Sequence, residues 1–253
     1  MNTGKGLAVI ELSANLAFGP GVVYPVLIWD DEAVVLIDTG FPGMLAQMRS
    51  NIESFGILLE RLSHIIMTHH DIDHIGCLKT LVAASGRRVE VMAHIEEKPY
   101  IEGELPPVKS APWDNPGMQD HYREIPEEQR QAIMAVFSRF NTWTAPVDRT
   151  INDGEVLPIC GGIRVIHTPG HTAGHICLYH QCSKTLIAGD ALFLQDGILI
   201  PPPPFLNTNY REAHKSIEKL FGLEIEKVVC YHGGLFKIKP GQQLADLVQN
   251  AKI

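Results

Sequence analysis

The 253-residue chain has no apolar run approaching the roughly 18 to 20 residues that a membrane helix needs. Its first residues, MNTGKGLAVIELSANLAFG, hold no continuous apolar segment followed by a small-residue cleavage site. A soluble cytoplasmic protein with no membrane partner is the expectation. Basic residues are also in short supply: 21 Lys and Arg stand against 29 Asp and Glu, a formal net charge of −8, and they form no run. Binding to phosphate backbones needs a clustered positive footprint, so nucleic acid is not expected as a partner. The five cysteines (Cys77, Cys160, Cys177, Cys182 and Cys230) are odd in number, widely spaced and without a C-x-x-C pair. That pattern fits reduced thiols rather than a disulfide framework. No G-x-S-x-G elbow is present either, which removes the usual marker of a serine nucleophile.

Apolar residues make up 45% of the chain, enough to bury a substantial core. Short β-branched runs predict strands at LAVIEL, VVYPVLIWD, AVVLID, SHIIMT and RVEVMAH. Helical spacing predicts helices at MLAQMRSNIESFG and IGCLKTLVAAS. The order restarts with IRVIH, HICLYH and TLIAGD, then a helix at YREAHKSIEKLFG, a strand at KVVCYH and a terminal helix. Between the two halves, residues 95–146 are rich in proline, charge and aromatics and read as an excursion with a helix over roughly 127–141. Two similar αβ halves predict one domain over residues 1–253, a two-sheet α/β sandwich with helices outside.

Polar clusters fall where predicted strands end: Asp38 after VVLI, five residues in Thr68-His-His-Asp-Ile-Asp-His74, His171 after Thr-Pro-Gly, Asp190 after Leu-Ile-Ala-Gly, and His232 after Val-Val-Cys-Tyr. A strand fixes the backbone there and a loop frees the side chain, which suits metal ligation.

These motifs, in this order, resemble the metallo-β-lactamase superfamily, whose members carry His-x-His-x-Asp-His, a histidine after Pro-Gly, an aspartate and a last histidine. The resemblance runs from Leu-Ile-Asp-Thr-Gly at 36–40 to Tyr-His-Gly-Gly at 231–234. It implies a four-layer αββα sandwich and two divalent cations, zinc first. His69 and His171 would hold one cation, Asp73, His74 and His232 the other, and Asp190 would bridge them. It also implies hydrolysis by a metal-bridging hydroxide, from a water whose pKa falls from 15.7 toward about 7. Asp38 would orient ligands by hydrogen bonding, and Asp73 or Asp71 would carry the proton to the leaving group.

The chain departs from the family at position 71, where aspartate replaces the second histidine. In one reading Asp71 coordinates, which adds a hard anionic ligand and tips the preference toward manganese or iron. In the other its shorter side chain falls short, and the first site is weak or is completed by His70. His70 itself is expected to support the site from outside, because neighbours in extended chain point to opposite sides.

Tyr100, Trp113, Phe140 and Trp143 of the excursion, with Phe205 and Leu206 of the loop at 195–209, are the candidate pocket residues. An apolar wall with few cations suits a small, partly hydrophobic substrate. The leading expectation is hydrolysis of an ester, lactone, thioester or related bond. The lactonases of the superfamily fit better than hydroxyacylglutathione hydrolases, since no basic C-terminal extension is visible. An iron enzyme acting on oxygen, nitric oxide or persulfide is the main alternative, followed by a non-catalytic metal-binding member. The sequence says nothing of the oligomeric state.

Overall fold

Every residue of Val34–Ile37 (β5) is buried, as a strand covered on both faces requires. Successive residues point to opposite faces, and each face meets a different core. Val35 and Ile37 join Val26, Ile28, Ile66 and Met92 against Ile163, Val165, Ile176, Leu178, Ile187 and Val229. Val34 and Leu36 join Leu27, Ile65 and Val91 against Met48, Ile52, Leu78 and Leu81. Each fully buried aliphatic side chain of this kind contributes about 1.5–3 kcal/mol. In this computed structural model the described residues are 4–16, 19–110, 119, 123–239, 242 and 244–248.

The first sheet has the order β1-β4-β5-β6-β7-β8, built from Gly6–Val9 (β1), Val26–Trp29 (β4), β5, His64–Ile66 (β6), Glu90–His94 (β7) and Arg149–Ile151 (β8). Strands β5 to β8 run parallel, and β1 and β4 are antiparallel additions. Leu12–Leu16 (β2) and Gly19–Val23 (β3) form a separate hairpin. Leu45–Ser54 (α1) and Leu78–Ala84 (α3) cover the outer face of the sheet, with Ile72–Ile75 (α2) as one turn between them.

The second sheet has the order β16-β15-β12-β11-β10-β9. Its strands are Val156–Leu157 (β9), Ile163–His167 (β10), Ile176–His180 (β11), Thr185–Ile187 (β12), Lys227–Cys230 (β15) and Gly234–Lys237 (β16). Here β12 and β15 are the parallel pair. Ile217 of the helix Tyr210–Glu218 and Leu244 of the helix Leu244–Leu247 pack on its outer face. The four layers are therefore helix, sheet, sheet, helix.

Three local expectations are corrected. The helix expected over 127–141 ends at Phe137, followed by a separate 3₁₀ turn at Phe140–Thr142. The expected loop at 195–209 opens instead with a hairpin, Phe193–Gln195 (β13) against Ile198–Ile200 (β14). Its turn is Asp196-Gly197, both at positive φ, a combination that closes two-residue hairpins. The excursion also contains the helical turn Lys98–Ile101 (α4) and a 3₁₀ turn at Val108–Ser110. Further helices, in chain order, are Glu127–Phe137 (α5), Tyr210–Glu218 (α6) and Leu244–Leu247 (α7). All five cysteines are free. No helix among the described residues is long and apolar enough to cross a membrane.

Candidate metal centre

Parallel strands put their carboxyl ends at one edge, and that edge is where open α/β sheets bind ligands. Asp38 follows β5, Thr68 and His69 follow β6, Asp190 follows β12, and His232 follows β15. The two parallel pairs thus deliver four of the candidate residues from both sheets to one place.

The ligand atoms converge. His69 Nε2 and His171 Nε2 lie 3.2 and 3.0 Å from Asp71 Oδ2. His232 Nε2 and His74 Nε2 lie 3.2 and 3.7 Å from Asp73 Oδ2. Between the two groups, Asp190 meets His74 at 3.3 Å through Oδ1, and meets His171 and His232 at 3.4 and 3.3 Å through Oδ2. Three ligand sets result, each within 4.8 Å: His69 with Asp71 and His171, Asp73 with His74 and His232, and His69 with His74 and Asp190. The carboxylate at position 71 lies beside His69 and His171, on the residue directly before α2.

The ring orientations are set from behind. Asp38 Oδ2 accepts from His74 Nδ1 at 2.8 Å and from Thr68 Oγ1 at 2.8 Å, and Oδ1 accepts from Thr68 N at 2.9 Å. A hydroxyl has one hydrogen, so Thr68 Oγ1 accepts from His69 Nδ1 at 3.0 Å. Both imidazoles therefore turn Nε2 inward. To do this Asp38 adopts φ of +60°, a left-handed conformation that aspartate tolerates better than most residues. Tyr231 stacks on His74 with ring centroids 3.8 Å apart, donates through its hydroxyl to Asp73 O at 2.6 Å and accepts from Gly40 N at 3.1 Å.

Asp190 is held the same way. His175 Nε2 accepts from Asp190 N at 3.0 Å, and Nδ1 pairs with Thr168 Oγ1 at 2.8 Å. Burial lowers the His175 pKa to about 3, so it stays neutral and keeps that acceptor. Gly189 makes the approach feasible, since a Cβ there would stand 2.7 Å from His175 Nε2.

Divalent metal fits these residues. His69 Nε2, His74 Nε2 and Asp190 Oδ1 are buried and have no hydrogen-bond partner, a costly arrangement for polar atoms unless something else engages them. The charge balance points the same way. Burial opposes a charge on His74 and His232, yet the surrounding aspartates raise both pKa values, His74 well above its ordinary range and His232 to about 10. Burial likewise opposes ionisation of Asp71 and Asp190. Lys109 and His69 hold Asp71 well below the usual carboxylate range, and His232 and His74 do the same for Asp190.

Several supporting residues carry no sequence motif. Glu97 is fully buried. One oxygen accepts from His70 N at 2.9 Å and pairs closely with His70 Nδ1; the other accepts from Thr172 Oγ1 and Gly174 N, each at 2.7 Å. It ties the loop bearing His69 to the loop bearing His171. His70 thus faces away from the ligands, stacks on Tyr100 at 4.3 Å and accepts from Val108 N at 3.4 Å. Lys109 Nζ reaches Asp71 Oδ2 closely and His171 Nε2 at 2.7 Å. Neither Glu97 nor Lys109 was expected.

The pocket set divides. Tyr100 lies against His70. Phe205 and Leu206 are half-buried in a 3₁₀ turn just before Thr208 and Asn209, which bond His171 O and Gly170 O. Phe140 and Trp143 are corrected: Trp143 is buried and both pack in the core beneath α1 and α3, where large rings contribute most. Trp113 lies outside the described residues.

Inward imidazole and carboxylate donors at the shared edge of an αββα sandwich make a candidate metal centre. The metallo-beta-lactamase superfamily profile matches residues 18–232, and the chain belongs to that superfamily. It is 30% identical to the "probable metallo-hydrolase YflN" of Bacillus subtilis (strain 168), over 81% of this chain and 76% of that protein. It is 29% identical to the hydroxyacylglutathione hydrolase GloC of Haemophilus influenzae, over 68% and 67%. In fold it is similar to a metallo-beta-lactamase family protein of Thermus thermophilus, with a TM-score of 0.68 at 22% identity, covering 92% of this chain and 75% of that one.

Proposed function

We propose that the protein is a binuclear metal-dependent hydrolase that cleaves an ester, thioester or lactone bond in a small molecule. The observation that carries the reading is the pair of ligand sets, His69 with Asp71 and His171, and Asp73 with His74 and His232, joined through Asp190. When bound, two divalent cations would supply an activated water and polarise the scissile carbonyl. The chain does the rest. Asp38, Thr68 and His175 hold the ligands in orientation, the half-buried Phe205 and Leu206 contribute apolar wall, and Asp73, 15% exposed on its side chain, carries the proton to the leaving group. The hydroxyacylglutathione hydrolase among the relatives supports a thioester or ester over a β-lactam.

The test is reconstitution of metal-free protein with zinc, manganese or iron and assay against matched nitrophenyl esters, acyl thioesters and lactones. Turnover that chelator abolishes and zinc or manganese restores supports the reading. Iron with a visible absorption band, oxygen consumption and no hydrolysis would overturn it in favour of redox chemistry, which the three carboxylates Asp71, Asp73 and Asp190 also suit. An anomalous-scattering map at the metal edges identifies the ions and shows whether Asp71 coordinates.

A further inference from the structure

Glu97 stands outside both ligand sets, on a base of its own. It follows β7, donates from its backbone N–H to His94 O at 3.0 Å, and accepts at its carbonyl from Tyr100 N and Ile101 N of α4 at 3.1 and 3.0 Å. Ile101 is buried in the core beneath α1 and α3, so the base is fixed to the first sheet and not to the metal loops. From there the carboxylate spans both loops of the first set. One oxygen holds His70, which stands between the ligands His69 and Asp71, and the other holds Thr172 and Gly174, just past the ligand His171. Gly174 lets the two segments come this close, since a Cβ there would stand 2.8 Å from Glu97 Cγ.

His171 depends on that hold. Its Nδ1 is buried with no hydrogen-bond partner, whereas Asp38 orients the His74 ring directly and the His69 ring through Thr68. With nothing bonded behind the ring, the direction of His171 Nε2 follows its loop backbone, which Thr208 and Asn209 fix on one side and Glu97 on the other. The second set is held from elsewhere. Thr39 donates to His74 O from N at 2.7 Å and from Oγ1 at 2.6 Å, and the Tyr231 hydroxyl donates to Asp73 O at 2.6 Å. These supports stand just past the ends of β5 and β15.

We propose that Glu97 is a positioning residue for one ion of the pair: it holds the loops of Asp71 and His171 together for the first ion, and the second ion binds without it. The inference rests on the two-ion reading above and adds that the two sites load separately. Groups that orient metal ligands from behind are worth about 10- to 100-fold in affinity, and here that factor falls on one site. The task needs a carboxylate, because His70 N–H requires an acceptor on one oxygen and Thr172 and Gly174 require one on the other, whereas glutamine has a single acceptor oxygen.

The experiment titrates the metal-free full chain with zinc against a chromophoric chelator and counts bound metal by mass spectrometry, for wild type, Glu97→Gln, Thr172→Val and Thr172→Ser. Wild type should bind two zinc ions per chain. In Glu97→Gln one ion should keep its affinity while the other weakens at least tenfold, so that a single ion survives dialysis. An anomalous-scattering map should place that ion among Asp73, His74 and His232. Thr172→Val, which keeps the shape but not the hydroxyl, should weaken the same ion, and Thr172→Ser should keep both. Equal weakening of the two ions in Glu97→Gln, or no weakening of either, overturns the proposal, as does a retained ion among His69, Asp71 and His171. Should Glu97→Gln not fold, the Thr172 pair decides, and equal zinc binding by Thr172→Val and Thr172→Ser overturns it. A wild type that binds one zinc ion overturns the two-ion reading instead; the role of Glu97 then stands if that ion weakens at least tenfold in Glu97→Gln and fails if it does not.

Discussion

Asp38 Oδ2 meets His74 Nδ1 at 2.8 Å across the ends of β5 and the loop after β6, from a backbone at φ +60°. The pair turns His74 Nε2 inward, and it does so from a conformation that costs most residues about 1 kcal/mol or more.

Asp38→Asn separates the two effects, because asparagine also tolerates positive φ. Metal affinity should fall about 10- to 100-fold, as it does when supporting carboxylates behind metal-bound histidines are removed. Competition against a chromophoric chelator reads this directly. Affinity within twofold of wild type would mean that Asp38 does not orient His74.

Glu97→Gln should destabilise the metal-free protein by about 3 kcal/mol at neutral pH, since one oxygen of Glu97 accepts two N–H groups from His70 and an amide cannot replace both oxygens. Burial would raise the Glu97 pKa, but His70, Thr172 and Gly174 prevail and lower it below the ordinary glutamate value of 4.5. A depressed carboxyl pKa gives stability that is present above the unfolded value and lost as pH falls through the folded one. Urea titrations should therefore show the gap between wild type and variant narrowing once pH drops below about 4.5. A gap that is constant with pH would assign the loss to shape rather than charge.

Asp71→His should move metal preference toward zinc by roughly tenfold relative to manganese, because an imidazole replaces a hard anionic oxygen. Metal content after dialysis against an equimolar mixture measures it. Unchanged content and rate would mean that Asp71 is not a ligand.

Native protein should show one fast thiol toward an aromatic disulfide reagent. Cys182 is exposed, whereas Cys77, Cys160, Cys177 and Cys230 are buried. Burial pushes the Cys160 and Cys177 thiols up to about 12, so at pH 8 only about one part in ten thousand is the reactive thiolate. Unfolding in urea should release the remaining four. Two or more fast thiols in the folded state would contradict the burial of these residues.

Much of the centre was legible because its residues lie at the ends of buried strands. Val34–Ile37 and Lys227–Cys230 announce themselves by composition, and Asp38 follows the first immediately while His232 stands just past the second. Glu97 and Lys109 were hidden for the opposite reason. Glu97 reaches Thr172 and Gly174 over 75 and 77 residues, and Lys109 reaches His171 over 62. In the sequence both look like solvated charges in a proline-rich stretch, since a glutamate is rarely fully buried. Phe140 and Trp143 erred the other way: their place in the excursion suggested a pocket, but large rings are drawn to whichever core lies within reach. The Asp196-Gly197 pair carried a hairpin signal that the prolines downstream obscured.

Asp71 and His171 are 100 residues apart in the chain and stand 3.0 Å apart in space. An ion held by both would act as a staple between the two halves. A covalent link closing a loop of that length removes about 4.7 kcal/mol of unfolded-chain entropy in the simplest model. Unlike a disulfide, an ionic staple opens with pH and chelators. The lifetime of the folded protein is then set by how slowly its ions leave, so heat resistance should track free metal in the buffer.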